Sequence, residues 1–159
     1  MMFTPVQVAL SGAPSEAGLI KHVGNKTFIS IYNTGPSAAL VAGQPYVITF
    51  TKTAGKEVDV KAPFTLITAA NIVVVPQEAI ADDAYGWVQV YGEAEVKIDG
   101  VITAGHYIEV LNAGTTFITE GNATGTVASV GVAVDAKTLT ASALHSVFLF
   151  GKQVGVLAS

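Results

Sequence analysis

The chain contains no cysteine and no arginine, and only 13% of its residues are charged. Without cysteine there is no disulfide framework, no thiol nucleophile and no thiolate metal site. Without arginine the usual bidentate ligand of phosphate and guanine is missing. Eight lysines are scattered over 159 residues without a basic stripe, and the formal net charge is −4. Direct nucleic-acid binding is not expected of such a chain, nor is attraction to an anionic membrane surface.

Long apolar runs are absent too. Half of the residues are hydrophobic and the mean hydropathy is +0.52, yet stretches such as Ile72 to Val75 and Val147 to Phe150 are strand-sized. A membrane-spanning helix needs roughly 18–20 consecutive apolar residues, so no membrane partner is expected. The apolar excess reads instead as surface covered by protein partners, as in obligate oligomers. The opening Met1-Met2-Phe3-Thr4-Pro5-Val6 has no basic segment followed by an apolar core, and no secretory signal is expected. The triplets Asn25-Lys26-Thr27 and Asn122-Ala123-Thr124 match the glycosylation pattern and read as chance matches in turns.

What the chain does have is period-two alternation. Candidate strands are Phe3–Leu10, Gly18–Val23, Lys26–Tyr32, Tyr46–Lys52, Glu57–Lys61, Phe64–Thr68 and Asn71–Val75, then Gly86–Asp99, His106–Leu111, Thr115–Thr119, Gly125–Ala136 and Leu144–Phe150. Breakers such as Gly24-Asn25, Asp99-Gly100 and Asn112-Ala113-Gly114 separate them. Sixteen threonines with many Val and Ile suit a pleated, half-buried surface. Only Gln77–Asp83 and Pro36–Ala42 could hold a short helical turn. The expected fold is all-β, an antiparallel sandwich or a jelly-roll or barrel-like domain with an irregular β-rich N-terminal part. Residues 1–81 form that segment or arm, within the same domain or beside it, and residues 82–159 the better-formed core.

The strand from Trp87 to Asp99 carries Val88, Val90, Gly92, Ala94, Val96 and Ile98 on a core face, with Gly92 permitting a bend or close backbone approach. Asp99-Gly100 then signals a two-residue hairpin into Val101-Ile102. The other face carries Trp87, Gln89, Tyr91, Glu93, Glu95, Lys97 and Asp99. Trp87 and Tyr91 are of the type that anchors interfaces; the alternative is that strand twist or an overlying loop buries them within the monomer. The final strand places Leu144, Ser146, Phe148 and Phe150 on one face and His145, Val147 and Leu149 on the other. It is central in a sandwich or lies at a subunit contact. Trp87, Tyr91, His145, Phe148 and Phe150 are therefore the interface candidates. Loops at Ser11–Glu16 and Thr34–Gln44 are the other segments suited to partner contact.

Catalytic signals are weak. His22, His106 and His145 lack metal-ligand spacing, Asp82-Asp83 is a lone loop pair, and Glu93 and Glu95 share a strand face as a solvated row. Ser11 and Ser129 have no nucleophile-elbow context. Neither catalysis nor a cofactor or metal is expected.

The run Tyr85-Gly86-Trp87-Val88-Gln89-Val90-Tyr91-Gly92, a short hydrophobic hairpin and Ala104-Gly105 resemble part of the tailed-bacteriophage capsid decoration, or cement, proteins. The resemblance continues through Gly125-Thr126-Val127-Ala128-Ser129-Val130-Gly131-Val132-Ala133, the loop Asp135–Ala143 and the strand Ser146–Phe150, covering roughly Asp82 to Gly151. It implies a small β-barrel or sandwich subunit, commonly a homotrimer. Such a subunit binds the major capsid protein on the outer surface of the virion and bridges capsomers. The alternatives are a carbohydrate-binding or adhesin-like β-domain, a jelly-roll enzyme with a histidine-bound metal, and a phage tail or baseplate component.

Overall fold

A computed structural model describes residues 12–34, 38–54, 56, 58–61, 72–111, 115–119, 127–138 and 141–157. The expected strands Phe3–Leu10 and Phe64–Thr68 lie outside them. The fold is all-β and is built around a closed five-stranded barrel with extra strands. Twelve strands are described: β1 Ile20–Val23, β2 Lys26–Tyr32, β3 Tyr46–Phe50, β4 Val58–Lys61, β5 Val73–Pro76, β6 Tyr85–Asp99, β7 Val101–Ile102, β8 Tyr107–Leu111, β9 Phe117–Thr119, β10 Val127–Ala133, β11 Lys137–Thr138 and β12 Ala143–Leu157.

The two fifteen-residue strands, β6 and β12, organise the molecule. From Tyr91 to Ile98, β6 pairs antiparallel with β12 from Phe150 back to Ala143. β12 pairs with β10, β10 with β8 and β8 with β9, all antiparallel. β9 then returns to β6 in parallel, Ile98 facing Phe117, and the ring closes. Closure leaves these strands without a free edge where they pair.

The first half of β6 belongs to a second sheet. Tyr91 pairs with both Thr27 and Phe150, so β2 and β12 lie on opposite edges of β6. Gln89 pairs with both Phe28 and Val75, so β5 takes the edge that β12 has left. β1 extends β2, while β3 and then β4 extend β5. The handover occurs at two glycines with positive φ, Gly92 at 90° and Gly151 at 76°, a conformation in which a Cβ is strained.

Two cores result. The barrel encloses Ala94, Val96, Ile98, Ile108, Val110, Phe117, Val130, Ala133, Val147 and Leu149, joined by Val47, Val73 and Val75 from the first half of the chain. The second sheet curls over Ile31, Leu40, Tyr46, Ile48, Val58, Val60, Val74, Ile80 and Val88. Full burial of one such side chain contributes roughly 1.5–3 kcal/mol relative to exposure. β6 supplies side chains to both cores, and Val47, Val73 and Val75 carry the first half of the chain into the barrel core.

Several local expectations are corrected. Asp99-Gly100 does not close a hairpin: Val101–Ile102 turns away and pairs with β11, and the end of β6 takes β9 instead. Gln77–Asp83 forms no helical turn, and neither do the described residues of Pro36–Ala42. The two segments bridge each other, Leu40 N–H donating to Ile80 O at 2.7 Å and Ile80 N–H to Leu40 O at 3.2 Å. The Asp82-Asp83 pair is a turn in which Asp83 has φ of 54° and its N–H donates to Asn33 O at 2.8 Å.

Candidate functional site: the outer wall of the barrel

Residues opposite each other in an antiparallel pair project from the same face of the sheet. Across β6 and β12, Phe150 faces Tyr91, Phe148 faces Glu93 and Ser146 faces Glu95. Across β10, Val132 faces Phe148 on one side and Tyr107 on the other. Their neighbours Val147, Leu149, Ile108 and Val96 fill the barrel, so this set forms its exterior. The result is an aromatic wall spanning β6, β12, β10 and β8.

Its rings are ordered against one another. Tyr91 and Phe148 meet edge to face at 5.2 Å and 83°, and Tyr107 and Phe150 at 6.3 Å and 78°. Tyr91 is 42% exposed and Tyr107 44%, while Phe148 and Phe150 are half-buried beside them. T-shaped pairs add about 0.5–1.5 kcal/mol beyond area burial and hold the rings in place. Leu144 and Val134 extend the apolar surface. Glu93 and Glu95 line the β6 side, where Ser146 Oγ donates to Glu93 Oε1 at 2.7 Å.

Three of the five candidate residues, Tyr91, Phe148 and Phe150, meet here. Trp87 does not. It is 4% exposed, which corrects the reading of it as an outward-facing anchor. The segment 12–19 crosses over the start of β6: Trp87 Nε1–H donates to Gly12 O at 3.3 Å, and Lys21 Nζ sits 4.5 Å from the ring centroid. Ser30, opposite Trp87, fixes the same segment by donating to Glu16 O and accepting from Leu19 N–H, both at 2.8 Å. Gln89, next on that row, is also fully buried, its Nε2 donating to the carbonyls of Tyr91 and Glu93 at 3.1 and 2.8 Å. The polar row is outward only from Tyr91 onward.

His145 lies on the inward face of β12, opposite Val96, with a ring nitrogen donating to Asp135 O at 3.2 Å. His22 pairs with Thr27 Oγ1 at 3.1 Å, and His106 is exposed beside the Thr103–His106 turn. Among the described residues no three His, Asp or Glu side chains converge into a metal-holding group. No described helix is long and apolar enough to cross a membrane.

Sequence reasoning missed Tyr107. It lies two strands from β12 in the sheet, and nothing in its own segment reveals the register that brings it to Phe150.

No family model and no curated protein matches the chain. Among solved structures it is similar to the N base of the head fiber protein gp8.5 of bacteriophage phi29, 9% identical with a TM-score of 0.49, over 82% of this chain and 98% of that one. The functional reading rests on the wall and on the sequence.

Proposed function

We propose that this chain is a structural subunit of a bacteriophage virion, a decoration protein that binds the outer capsid surface and bridges capsomers. The observation that carries the proposal is the aromatic wall. Monomeric proteins rarely leave ordered aromatic pairs on a contiguous apolar face without a partner to cover them. The segments that carry the resemblance to cement proteins include the very strands that build this wall, β6, β10 and β12. A clamp across capsomer boundaries needs no reaction centre. It stabilises the shell by burying surface that opening would re-expose.

On this reading the wall meets further copies of the chain in a homotrimer, and the assembled subunit meets the major capsid protein. The carbohydrate-binding alternative depended partly on an exposed tryptophan for stacking, and burial of Trp87 removes that support. A tail or baseplate position would use the same wall and differ only in its target.

The deciding experiment is light scattering on a sizing column followed by co-sedimentation with expanded capsids. The expected result is a species of three chains that binds capsids, with both properties weakened by Tyr107→Ser and Phe148→Ser together. A wild-type monomer that ignores capsids would overturn the reading.

A further inference from the structure

Among the described residues the two most exposed large apolar side chains lie on the second sheet and not on the wall: Phe50 at 72% and Ile20 at 64%. Both sit where an inward-facing row runs past the end of its core. Alternation along β3 puts Phe50 on the face of Tyr46 and Ile48, and Val58 stands opposite it; those three belong to the second core. Ile20 stands opposite Ile29, which packs against the same core. Gly18 links the two, since a Cβ there would meet the Val58 side chain at 3.4 Å. The second sheet thus ends in an apolar rim. The turn that follows Phe50 is fixed by Lys56 N–H donating to Thr53 O at 3.0 Å and by Thr51 Oγ donating to Lys56 O at 2.7 Å. Lys56 turns to Tyr32, its Nζ 3.9 Å from the ring centroid, and Lys52 is left exposed two residues from Phe50.

Charge divides the chain in the same sense. Residues 1–76, which hold β1 to β5, carry five lysines and three acidic residues, a formal +2. Residues 77–159 carry three lysines and nine acidic residues, a formal −6. Of the acids in the first part, Asp59 is buried and engaged with Thr34. The barrel wall displays Glu93 and Glu95, both exposed, beside its rings. One subunit therefore carries two apolar surfaces on different sheets, one flanked by a lysine and the other by carboxylates.

Symmetry gives this a consequence. A surface that meets only itself builds a pair, whereas a closed ring of three brings two unlike surfaces of each subunit together. The wall alone cannot build the homotrimer proposed above. We infer that the rim at Phe50 and Ile20 is the surface that receives the barrel wall of the next copy around the ring. The inference rests on the reading of the chain as a homotrimer and names the two halves of its contact. The rim meets the aromatic rings, and Lys52 lies towards Glu93 and Glu95, so opposite charge fixes which surface meets which.

Phe50→Asp and Lys52→Glu change exposed side chains, and urea midpoints matching wild type would show each fold intact. Light scattering across a dilution series then reads assembly. Phe50→Asp is expected to raise the concentration needed for three chains by about tenfold or more. Lys52→Glu should raise it severalfold by setting like charges against each other. The deciding sample mixes Phe50→Asp with the wall variant carrying Tyr107→Ser and Phe148→Ser. Each keeps the surface that the other lacks, so the mixture should yield a species of two chains that neither yields alone. Assembly of Phe50→Asp or Lys52→Glu at wild-type concentrations, or a mixture that stays monomeric, would overturn the inference. A wild-type trimer that is lost in the wall variant would still leave the assembly reading standing in those cases, whereas a wild-type monomer at every concentration removes both.

Discussion

Gly92 lies against the backbone of Asn25: a Cβ at position 92 would stand 2.4 Å from the Asn25 carbonyl oxygen, and φ there is +90°. This is where β6 leaves the second sheet and enters the barrel. Neither obstacle can be relieved by rotating a side chain, since both neighbours within reach, Asn25 and Lys26, present backbone atoms. Gly92→Ala is therefore expected to destabilise the fold by about 3 kcal/mol or more, combining left-handed strain with overpacking. Urea denaturation would measure it. A loss below about 1 kcal/mol would mean that the turn at Gly24-Asn25 simply moves aside.

On the proposed reading of the chain as a self-associating subunit, Trp87 and Tyr91 separate stability from association. Truncating a buried tryptophan typically costs about 3–5 kcal/mol, and Trp87→Ala should do so by opening a cavity under Pro14 and Lys21. Tyr91→Ala removes a 42% exposed ring. It should leave the monomer within about 1 kcal/mol of wild type while raising the concentration needed for assembly, by about tenfold or more where the ring is a hot spot. Paired urea melts and dilution series by light scattering distinguish the two. A Trp87→Ala variant as stable as wild type would contradict its placement.

Much of this division was legible in the residues. Alternation gave the core face of β6 from Val88 to Ile98, and Gly92 was readable as a bend because an apolar row contains no other reason for a glycine. The period also assigned Phe148 and Phe150 to one face and Leu149 to the other. What alternation cannot carry is pairing at a distance. The parallel return of Phe117 to Ile98, the departure of Val101 to meet Thr138, and the meeting of Tyr107 with Phe150 all depend on register between separated segments. Trp87 could be read either way for a related reason: the residues that cover it, Gly12 to Leu19, lie about seventy positions earlier, and their hydrogen bonds to Ser30 leave no local pattern that would have chosen burial.

Asp59 ties the β2–β3 connection to β4. Its buried carboxylate accepts from Thr34 N–H at 3.0 Å, from Val60 N–H at 2.7 Å and from the Thr34 hydroxyl. Asp59→Ala leaves these donors without that acceptor, and charge-assisted bonds of this kind contribute about 1.5–3 kcal/mol when lost. A destabilisation of about 2–3 kcal/mol is expected, against about 1 kcal/mol for Thr34→Val, which removes one donor and keeps the carboxylate. Equal losses would show that the hydroxyl carries the whole contact.

Tyr46 gives the fold an alkaline limit. Its phenol is buried, which pushes its pKa above the usual 10, against the opposing effect of Val41 N–H, which donates to the phenol oxygen at 2.8 Å. A group whose folded pKa is raised contributes its full stability below the unfolded value and loses it as pH climbs towards the folded one. Between these limits the unfolded chain ionises first, so stability should be flat up to about pH 10 and fall above it. Tyr46→Phe removes the ionisable group. It should lower stability at pH 7 by about 1–2 kcal/mol, because Val41 N–H loses its acceptor, yet fall less steeply between pH 10 and 11. Urea midpoints for both proteins across pH 7–11 provide the comparison. Parallel curves above pH 10 would assign the alkaline loss to other groups and not to the buried phenol.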